Sequence, residues 1–458
     1  MYNITYYAVF CLYDKIVSII LINQLIMGAI YKSLIISPKN KTKLKIYNPG
    51  YLVISDKGLI EEISEKDLRK KYKNYRFYDR SKYLICPGFV DVHNHLPQYA
   101  FAGIGEKALL PWLENYTFPR EKKFNKKEVA SLSAKLFFED LIRNGTTTTL
   151  TYVTIHKSAT DIAFEYAKKA KIRAIIGKVM MNQNSPKFLT EKTEESLKDS
   201  IELIDKWHGH NDRLFYVLTP RFAITCSWEL MKSIAKIAKE KDVYIQTHLS
   251  ENLDEIAFTQ TLFPKFKNYT DIYYQAGILG PKTIMAHCVY LNEKEIKLIK
   301  KTKTSIAHCP TSNRFLMSGI MPFRKFRKEN LRIGLGTDVA GGYSLSMFNE
   351  MKEAIENSKY LFLFSEGKIG PPMSIAEAFY LATLGGAEVL SMKDKIGSLE
   401  KGKKADFLIV DYNKSDPMKG GNDYQKPEQI LSKLIYRGGS SAVKDVFING
   451  KKVNKGLS

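Results

Sequence analysis

Two histidines lie one residue apart in the stretch DVHNHL, directly after the apolar run LICPGFV, which is typical of a core strand. Residues two apart on a strand point to the same face, so His93 and His95 can bind one metal ion together. Taken alone, such a pair fits two loop histidines without a common ligand nearly as well. The residues that accompany the pair elsewhere in the chain therefore decide between the two interpretations.

Three more polar residues belong to later apolar runs. His248 lies at the end of VYIQTHLS, His287 lies within TIMAHCVYL, and Asp338 lies at the end of RIGLGTDV. Imidazoles and a carboxylate suit zinc, which lowers the pKa of a bound water from about 15.7 to about 7. We therefore predict a zinc site that supplies a nucleophile at neutral pH.

Glu251 follows His248 by three residues in the stretch HLSE. A carboxyl group beside the metal can transfer protons during attack on a carbon atom, so we predict a general acid or base at this position. The alternative is a carboxylate that caps a helix or lies at the surface.

Eight short apolar or β-branched runs, most of them separated by segments with a helical period, predict the strands that position these residues. The helical segment before the second run ends in Asn144 and Gly145, which is typical of a helix C-terminus. Eight such units predict an α/β fold, a (β/α)8 TIM-type barrel, whose C-terminal mouth gathers residues from the strand ends. The runs span residues 84–92, 146–154, 173–180, 214–221, 243–250, 283–291, 304–310 and 332–339.

The pattern changes on either side of this block. Residues 28–83 and 395–458 contain short strands and turns, and Asn449 and Gly450 fit a two-residue hairpin turn. We expect these two segments to pair into a small composite β-sandwich domain beside a catalytic barrel at residues 84–394.

Residues 1–27 form a hydrophobic extension of uncertain role. Residues 16–31 carry no charge, but this run is shorter than the roughly 20 residues that span a bilayer, and no basic segment with a cleavage site frames it. We expect the extension to lead into the first buried strand, with Met27 as an alternative start. No membrane association is expected unless the extension is a targeting segment.

The net charge of +22 is carried by basic residues that are scattered along the chain without a sustained stripe. A solvated lysine-rich surface explains this pattern, so we expect no nucleic-acid partner. The five cysteines are odd in number, far apart and without a CxxC pair. They are typical of free thiols in a reducing compartment, which favours a cytoplasmic location.

Several longer motifs resemble the guanine deaminases of the amidohydrolase superfamily, from about residue 28 to the carboxyl terminus. The HxH and TD motifs are shared by many amidohydrolases, whereas HLPQYAFAG, YTFPRE and TPRF are narrower. In chain order the motifs are PGFVDVHNHLPQYAFAG, LPWLENYTFPRE, NGTTTT, TPRFAITCS, THLSEN, AHCVYL, SIAHCPTSN, GLGTDVAGGYS and ATLGGAEVL.

The resemblance implies a zinc-dependent barrel with a flanking β-sandwich, usually a homodimer. It also implies a hydrolase that acts on C–N bonds of cyclic amidines and converts guanine and water to xanthine and ammonia. Such an enzyme serves purine catabolism or salvage. A small-molecule substrate is accordingly the expected partner.

The resemblance also implies a role for individual residues. One zinc ion per chain is bound by His93, His95, His248 and Asp338. The catalytic residues are Glu251, which transfers a proton to the ring, His287, which assists the zinc-bound water, and Asp338, which accepts a proton from that water. The purine is held by Gln98, Arg221 and Phe222, together with His95, His248, Glu251 and Asp338.

Two residues depart from the pattern of these relatives. Thr311 stands where some of them have asparagine, and Arg314 adds a charge to the same loop, which leaves the substrate preference open. The alternatives are another mononuclear amidohydrolase acting on a different aminopurine or related heterocycle, and a non-catalytic scaffold that retains the fold. Arg221 and Phe222 occupy the end of the fourth run, where a two-metal enzyme needs a bridging modified lysine, so a single metal is favoured.

Overall fold

A computed structural model describes residues 27–418 and 424–454 of the chain. The extension predicted at residues 1–27 lies outside these ranges except for Met27, and Cys11 lies outside them with it. Within residues 27–418 and 424–454, no helix is both long enough and apolar enough to cross a membrane.

The strands of the described ranges fall into two sheets. Numbered along the chain, they are β1 (Gly28–Pro38), β2 (Leu44–Ser55), β3 (Ile60–Ser64), β4 (Tyr75–Pro87), β5 (Phe89–His95), β6 (Thr146–Tyr152), β7 (Arg173–Gly177), β8 (Val179–Met180), β9 (Leu214–Pro220), β10 (Tyr244–Leu249), β11 (Thr283–His287), β12 (Ser305–His308), β13 (Arg332–Leu335), β14 (Phe407–Val410), β15 (Val443–Ile448) and β16 (Lys451–Lys452).

Helices follow most strands of the larger sheet. The α-helices are Leu109–Trp112, Phe118–Lys122, Lys127–Arg143, Lys157–Ala170, Thr193–Trp207, Trp228–Lys241, Leu253–Leu262, Tyr269–Gln275, Glu293–Thr302, Pro310–Phe315, Phe323–Lys328, Met347–Phe364, Ile375–Tyr380, Gly386–Val389 and Pro427–Arg437. Two π-helical turns, Leu113–Thr117 and Leu381–Gly385, each join two of these helices.

The larger sheet is a nearly closed barrel of eight parallel strands, which confirms the predicted fold. The strands β5, β6, β7, β9, β10, β11, β12 and β13 pair in chain order, and the two-residue β8 extends β9. Backbone hydrogen bonds join the first strand to the segment after the last one. Asp338 N donates to His93 O (2.8 Å), and His95 N donates to Val339 O (3.1 Å). The barrel therefore closes at the candidate metal ligands themselves.

The barrel strands are buried on both faces, as expected for a parallel sheet that is covered by helices. All seven residues of β5 are buried, and so are all seven of β6, whose sequence TTTTLTY is rich in β-branched side chains. The helix Lys127–Arg143 ends before β6 as predicted, with Gly145 at φ +84°.

The first predicted strand, residues 84–92, is wrong as a single element. Its first part, Leu84 to Pro87, is the end of β4 in the smaller sheet, and its second part begins β5 at Phe89. Gly88 lies between them, and its backbone N donates to Asp406 O (3.0 Å). The apolar character is continuous across this crossing because both sheets are buried there. The eighth run is also shorter than predicted, since β13 ends at Leu335 and Asp338 lies in the following loop.

The smaller sheet is built from the two terminal segments in the order β16-β15-β14-β4-β1-β2-β3. It is mixed, because β1 and β4 are parallel and the other pairs are antiparallel. Asn449 and Gly450 form the predicted turn between β15 and β16.

This sheet curls over into two layers. Tyr31 on β1 lies 5.6 Å from Phe447 on β15 (ring centroids) although two strands separate them, a lateral distance of roughly 14 Å in a flat sheet. Near its far edge, Ile60 N donates to Lys403 O (2.9 Å) and Gly402 N donates to Ile60 O (2.8 Å). The terminal segments therefore form a sheet that is separate from the barrel.

The smaller sheet packs on the side of the barrel through buried apolar residues and one buried ion pair. Arg173, the first residue of β7, donates from Nη2 to Asp406 Oδ2 (3.1 Å) and to Asn449 Oδ1 (3.0 Å). Both charged side chains are almost fully buried, 3% and 2% exposed. This pair joins the lower end of the barrel to the β domain, away from the mouth.

Candidate active site

Four side chains converge at the C-terminal mouth of the barrel. His93 and His95 lie on β5, His248 lies near the end of β10, and Asp338 lies in the loop after β13. Their ligand atoms all lie within 4.8 Å of one another. His93 Nε2 is 3.1 Å and His95 Nε2 is 3.2 Å from Asp338 Oδ1. The structure therefore brings together the four predicted ligands.

The arrangement fits a tetrahedral metal ion. His95 Nε2 lies 3.3 Å from His93 Nε2 and 3.2 Å from His248 Nε2. Bonds of about 2.0–2.1 Å in a tetrahedron place neighbouring ligand atoms about 3.3 Å apart. Lone pairs that converge in this way repel one another unless a cation lies between them. The donor set of three nitrogen atoms and one oxygen atom suits zinc.

Burial keeps His95 and His248 in the form that binds a metal. Burial lowers the pKa of His95 to about 3, although Asp338 opposes this shift. Burial and the neighbouring His93 and His95 lower the pKa of His248 well below its usual range. Burial by itself raises the pKa of Asp338, but the facing imidazoles, above all His93, hold it well below its usual range. Neutral imidazoles and an ionised carboxylate are the protonation states that metal binding requires.

Hydrogen bonds from surrounding residues orient the ligands. His248 Nδ1 donates to the backbone O of Arg221 (2.5 Å), which directs Nε2 toward the other ligands. The buried Asp91 accepts from the backbone N (3.0 Å) and the hydroxyl (2.6 Å) of Thr337 and from Asn94 Nδ2 (2.8 Å). Asp91 therefore ties β5 to the loop that carries Asp338.

Glu251 is buried beside this cluster in the loop after β10. Its Oε2 lies 3.3 Å from His287 Nε2, and its Oε1 accepts from Ser318 Oγ (3.3 Å). Burial, and secondly the charge of Asp338, raises the pKa of Glu251 to about 8. Such a group holds a proton near neutral pH, as a general acid requires. The alternative of a surface carboxylate is wrong, since Glu251 is 3% exposed.

His287 is the last residue of β11 and contacts both carboxylates. Its Nε2 lies 3.8 Å from Asp338 Oδ2, in addition to the contact with Glu251. Its Nδ1 lies 2.8 Å from Asn313 Oδ1, which can only accept, so Nδ1 carries the proton. Asn313 thus selects the His287 tautomer that presents Nε2 to Glu251 and Asp338.

These residues line one cavity at the mouth of the barrel. The predicted substrate-binding residues Gln98, Arg221 and Phe222 line it as well. Gln98 Oε1 accepts from the backbone N of Ala340 (3.3 Å), which holds the amide in one orientation. His95, His248, Glu251, His287 and Asp338 form the polar part of the wall, and Leu109, Trp112, Leu113 and Leu316 form the apolar part. His93 does not reach the cavity surface.

Thr311 and Arg314 do not line this cavity. Thr311 donates from its hydroxyl to Glu350 Oε1 (2.5 Å), and Arg314 pairs with Glu353 and donates to Asn357 Oδ1 (3.2 Å). Both residues tie the segment after β12 to the helix Met347–Phe364. Their geometry gives them a structural role rather than contact with a ligand.

Three residues near the site were missed by sequence reasoning. Asp91 and Asn313 orient the ligands and His287, and Glu121 pairs with Arg221 inside the protein. Each lies within a motif that marks the family resemblance, DVHNH, HCPTSN or YTFPRE, so the motif was a usable signal. The roles of these residues could not be predicted because their partners lie far away along the chain.

Comparison with known proteins agrees with this geometry. The amidohydrolase family pattern matches residues 84–453. A guanine deaminase of Escherichia coli (strain K12) is 41% identical over 371 residues, which cover 80% of this chain and 82% of that protein. A guanine deaminase of Dictyostelium discoideum is 38% identical over 404 residues, covering 88% and 87% of the two chains.

Among solved structures, guanine deaminase from C. acetobutylicum with bound guanine in its active site has a similar fold. It superposes with a TM-score of 0.88 at 37% identity, over 93% of this chain and 99% of that chain. The matched family pattern covers the barrel and all three carboxyl-terminal strands of the smaller sheet, β14, β15 and β16. The chain therefore belongs to the amidohydrolase family.

Proposed function

We propose that the chain is a zinc-dependent guanine deaminase, which hydrolyses guanine to xanthine and ammonia. The observation that carries this proposal is a single cavity lined by metal ligands, by the proton-transfer candidate Glu251, and by the purine-binding candidates Gln98, Arg221 and Phe222. The guanine bound in the structurally similar relative supports the choice of substrate.

Substrate recognition rests on three side chains of different chemistry. The Gln98 amide both donates and accepts, so it can pair with neighbouring ring and exocyclic groups of a purine. The Arg221 guanidinium offers a planar set of donors to acceptor atoms on the purine edge. Phe222 is 5% exposed and offers an aromatic surface for packing against the planar ring. Together they select a flat, polar heterocycle.

The reaction exchanges the exocyclic amino group of guanine for an oxygen atom from water. A zinc ion held by His93, His95, His248 and Asp338 supplies Lewis acidity and lowers the pKa of a bound water. Glu251 delivers its proton to a ring nitrogen as the carbon–oxygen bond forms. Asp338 then passes the proton that it takes from water to the exocyclic nitrogen, the carbon–nitrogen bond breaks, and ammonia leaves. The remaining hydroxyl proton returns to Glu251, which restores both carboxyl groups.

Two neighbouring groups complete this proton transfer. Asp338 accepts a proton from the attacking water, because its carboxylate is held ionised and lies at the cavity wall. His287 orients the same water through Nε2, the nitrogen that Asn313 leaves available. The closeness of both groups to Glu251 supports a short path for the proton from water to the ring.

The remaining parts of the proposal concern the protein as a whole. We propose one zinc ion per chain, a homodimer, and a cytoplasmic enzyme of purine catabolism or salvage. The described cysteines, Cys86, Cys226, Cys288 and Cys309, are free and buried, which supports a reducing compartment. The division into a barrel at residues 84–394 and a β domain at residues 28–83 and 395–458 also belongs to the proposal. Residues 1–27 are assigned no part in catalysis.

The test is turnover by the purified, zinc-loaded full-length chain with guanine, adenine and cytosine, followed by ultraviolet absorbance and ammonia release. We expect conversion of guanine to xanthine without comparable turnover of the other two bases. Turnover of adenine or cytosine in place of guanine would show that the proposed substrate is wrong and that the proposed hydrolytic deamination is right. A zinc-loaded chain without any turnover would instead favour the non-catalytic scaffold.

A further inference from the structure

Arg221 is a buried cation whose partner has no assigned role. Its side chain is 3% exposed, and Nη1 donates to Oε1 of Glu121 (2.8 Å), whose side chain is fully buried. A guanidinium cannot release its proton to escape the cost of burial, so it needs an anionic partner in this position. Glu121 supplies that charge from 100 residues away along the chain.

Glu121 belongs to the segment that forms the apolar wall of the cavity. Leu109, Trp112 and Leu113 line the cavity, and the π-helical turn Leu113–Thr117 leads into the helix Phe118–Lys122. The ring centroid of Phe118 lies 5.5 Å from Arg221 Cζ. One short segment therefore encloses the substrate cavity and also contacts the guanidinium through a carboxylate and an aromatic ring.

Glu121 makes its side-chain hydrogen bond to Arg221 alone among the described residues. Among residues 27–418 and 424–454, the second carboxylate oxygen of Glu121, Oε2, has no hydrogen-bond partner. Glu121 is also absent from the residues that line the cavity. Arg221 is therefore the polar side chain that connects Glu121 to the cavity.

We propose that Glu121 is a positioning residue for substrate binding. By accepting from Nη1, it fixes the rotation of the guanidinium, so that the remaining donors of Arg221 face the acceptor edge of the heterocycle. This inference rests on the proposed function of Arg221 as a purine-binding residue. It assigns Glu121 to the binding of substrate and not to the chemical step.

The first test is Glu121→Gln, which keeps the shape of the side chain and removes its charge. A binding interaction that is equal in the ground state and the transition state changes KM and leaves kcat unchanged. We expect KM for guanine to rise about 10- to 100-fold, with kcat within about twofold of wild type. This is the range for losing a hydrogen bond between the substrate and a charged group, here the guanidinium of Arg221. Zinc content should remain normal, because the contact to His248 comes from the backbone of Arg221.

The second test is a double-mutant cycle with Arg221→Met. If Glu121 acts through Arg221, then Glu121→Gln should change kcat/KM by less than about twofold in the Arg221→Met background. An equal penalty in both backgrounds would contradict the proposal, and so would a loss of kcat at unchanged KM in Glu121→Gln. Both outcomes would point to a general structural role.

A matched control is Asp406→Asn, which removes the anion of an equally buried arginine pair far from the mouth. This variant should lose stability while KM stays the same, so a raised KM in Asp406→Asn would overturn the assignment of the Glu121 effect to positioning. If Glu121→Gln does not fold, Glu121→Asp is tested instead, because it keeps the negative charge on a shorter side chain. It should raise KM by a smaller factor at unchanged kcat, and an unchanged KM would contradict the proposal.

Failure of the proposed function is visible separately. Wild-type chain that does not convert guanine contradicts the proposed function before any variant is compared. In that case, binding of guanine and xanthine to wild type, Glu121→Gln and Arg221→Met is measured by calorimetry. If Arg221→Met weakens the binding of a purine but wild type and Glu121→Gln bind that purine with equal affinity, the positioning role is refuted.

Discussion

Asp338 is the residue at which the proposed metal binding and the proposed proton transfer meet. Its Oδ1 lies 3.1 Å and 3.2 Å from the Nε2 atoms of His93 and His95, and its Oδ2 lies 3.8 Å from Nε2 of His287. Its charge also contributes to the raised pKa of Glu251. The two neighbouring carboxyl groups therefore differ in protonation, with Asp338 ionised and Glu251 protonated near neutral pH. This difference suits a base and an acid in one site.

Glu251→Gln separates proton transfer from metal binding. The amide keeps the shape of the side chain but cannot transfer a proton, so kcat should fall by about 10²- to 10⁴-fold while zinc content stays the same. Steady-state kinetics and metal analysis of the same preparation check this. Glu353→Gln is the control, because Glu353 is also buried but pairs with Arg314 outside the cavity. Normal kcat in Glu251→Gln would remove Glu251 from the chemical step.

Asn313 provides a second prediction at this scale. Removing its amide in Asn313→Ala frees the His287 ring to change tautomer, so kcat should fall roughly 10- to 100-fold, as for other residues that orient groups at metal sites. Asn313→Asp keeps an acceptor oxygen for Nδ1 and should retain more activity than the alanine variant. Equal activity of the two variants would show that the hydrogen bond to His287 does not matter for turnover.

At the scale of the elements, the sequence best predicted which residues lie at the C-terminal ends of the barrel strands. His93, His95, His248 and His287 could be assigned to one mouth because parallel strands in a barrel end on the same side. Asp338 was assigned correctly to that mouth although its strand ends at Leu335, because the loop after β13 pairs with β5. The position of a residue near a strand end was therefore sufficient, even where the strand boundary was wrong.

Side-chain contacts between different elements could not be predicted from the sequence. Glu121 and Arg221 are 100 residues apart, and Asn313 and His287 are 26 residues apart, so no local period connects them. The crossing at Gly88 was missed for a different reason. Residues 84–92 are apolar throughout because β4 and β5 are both buried there, and hydrophobic pattern alone does not indicate a change of sheet.

The junction between the barrel and the β domain gives a prediction about stability. Asp406→Asn leaves the buried guanidinium of Arg173 without its counter-charge, so the free energy of unfolding should fall by about 3–5 kcal/mol. Chemical denaturation measures this change. The control is Asp79→Asn, which removes a more exposed pair with Lys32 at 3.9 Å and should cost less than about 1 kcal/mol. Similar losses in both variants would contradict a role for burial.

At the scale of the whole molecule, the barrel and the composite β domain could be predicted from strand count and turn signals. The net charge of +22 carried no information about the site, because the basic residues are scattered along the chain. The substrate class came from motifs rather than from composition. The structure adds one cavity that is lined by three of the four proposed metal ligands, the proposed acid and the proposed purine-binding residues.

The central claim is that one zinc ion bound by His93, His95, His248 and Asp338 enables guanine hydrolysis. The most direct measurement is a zinc titration of the full-length chain after its metal has been removed with a chelator, followed by guanine turnover at each step. We predict that activity rises linearly and levels off at about one zinc per chain, and that Asp338→Ala needs excess zinc and stays slow. Full guanine turnover by the metal-free chain would contradict the account.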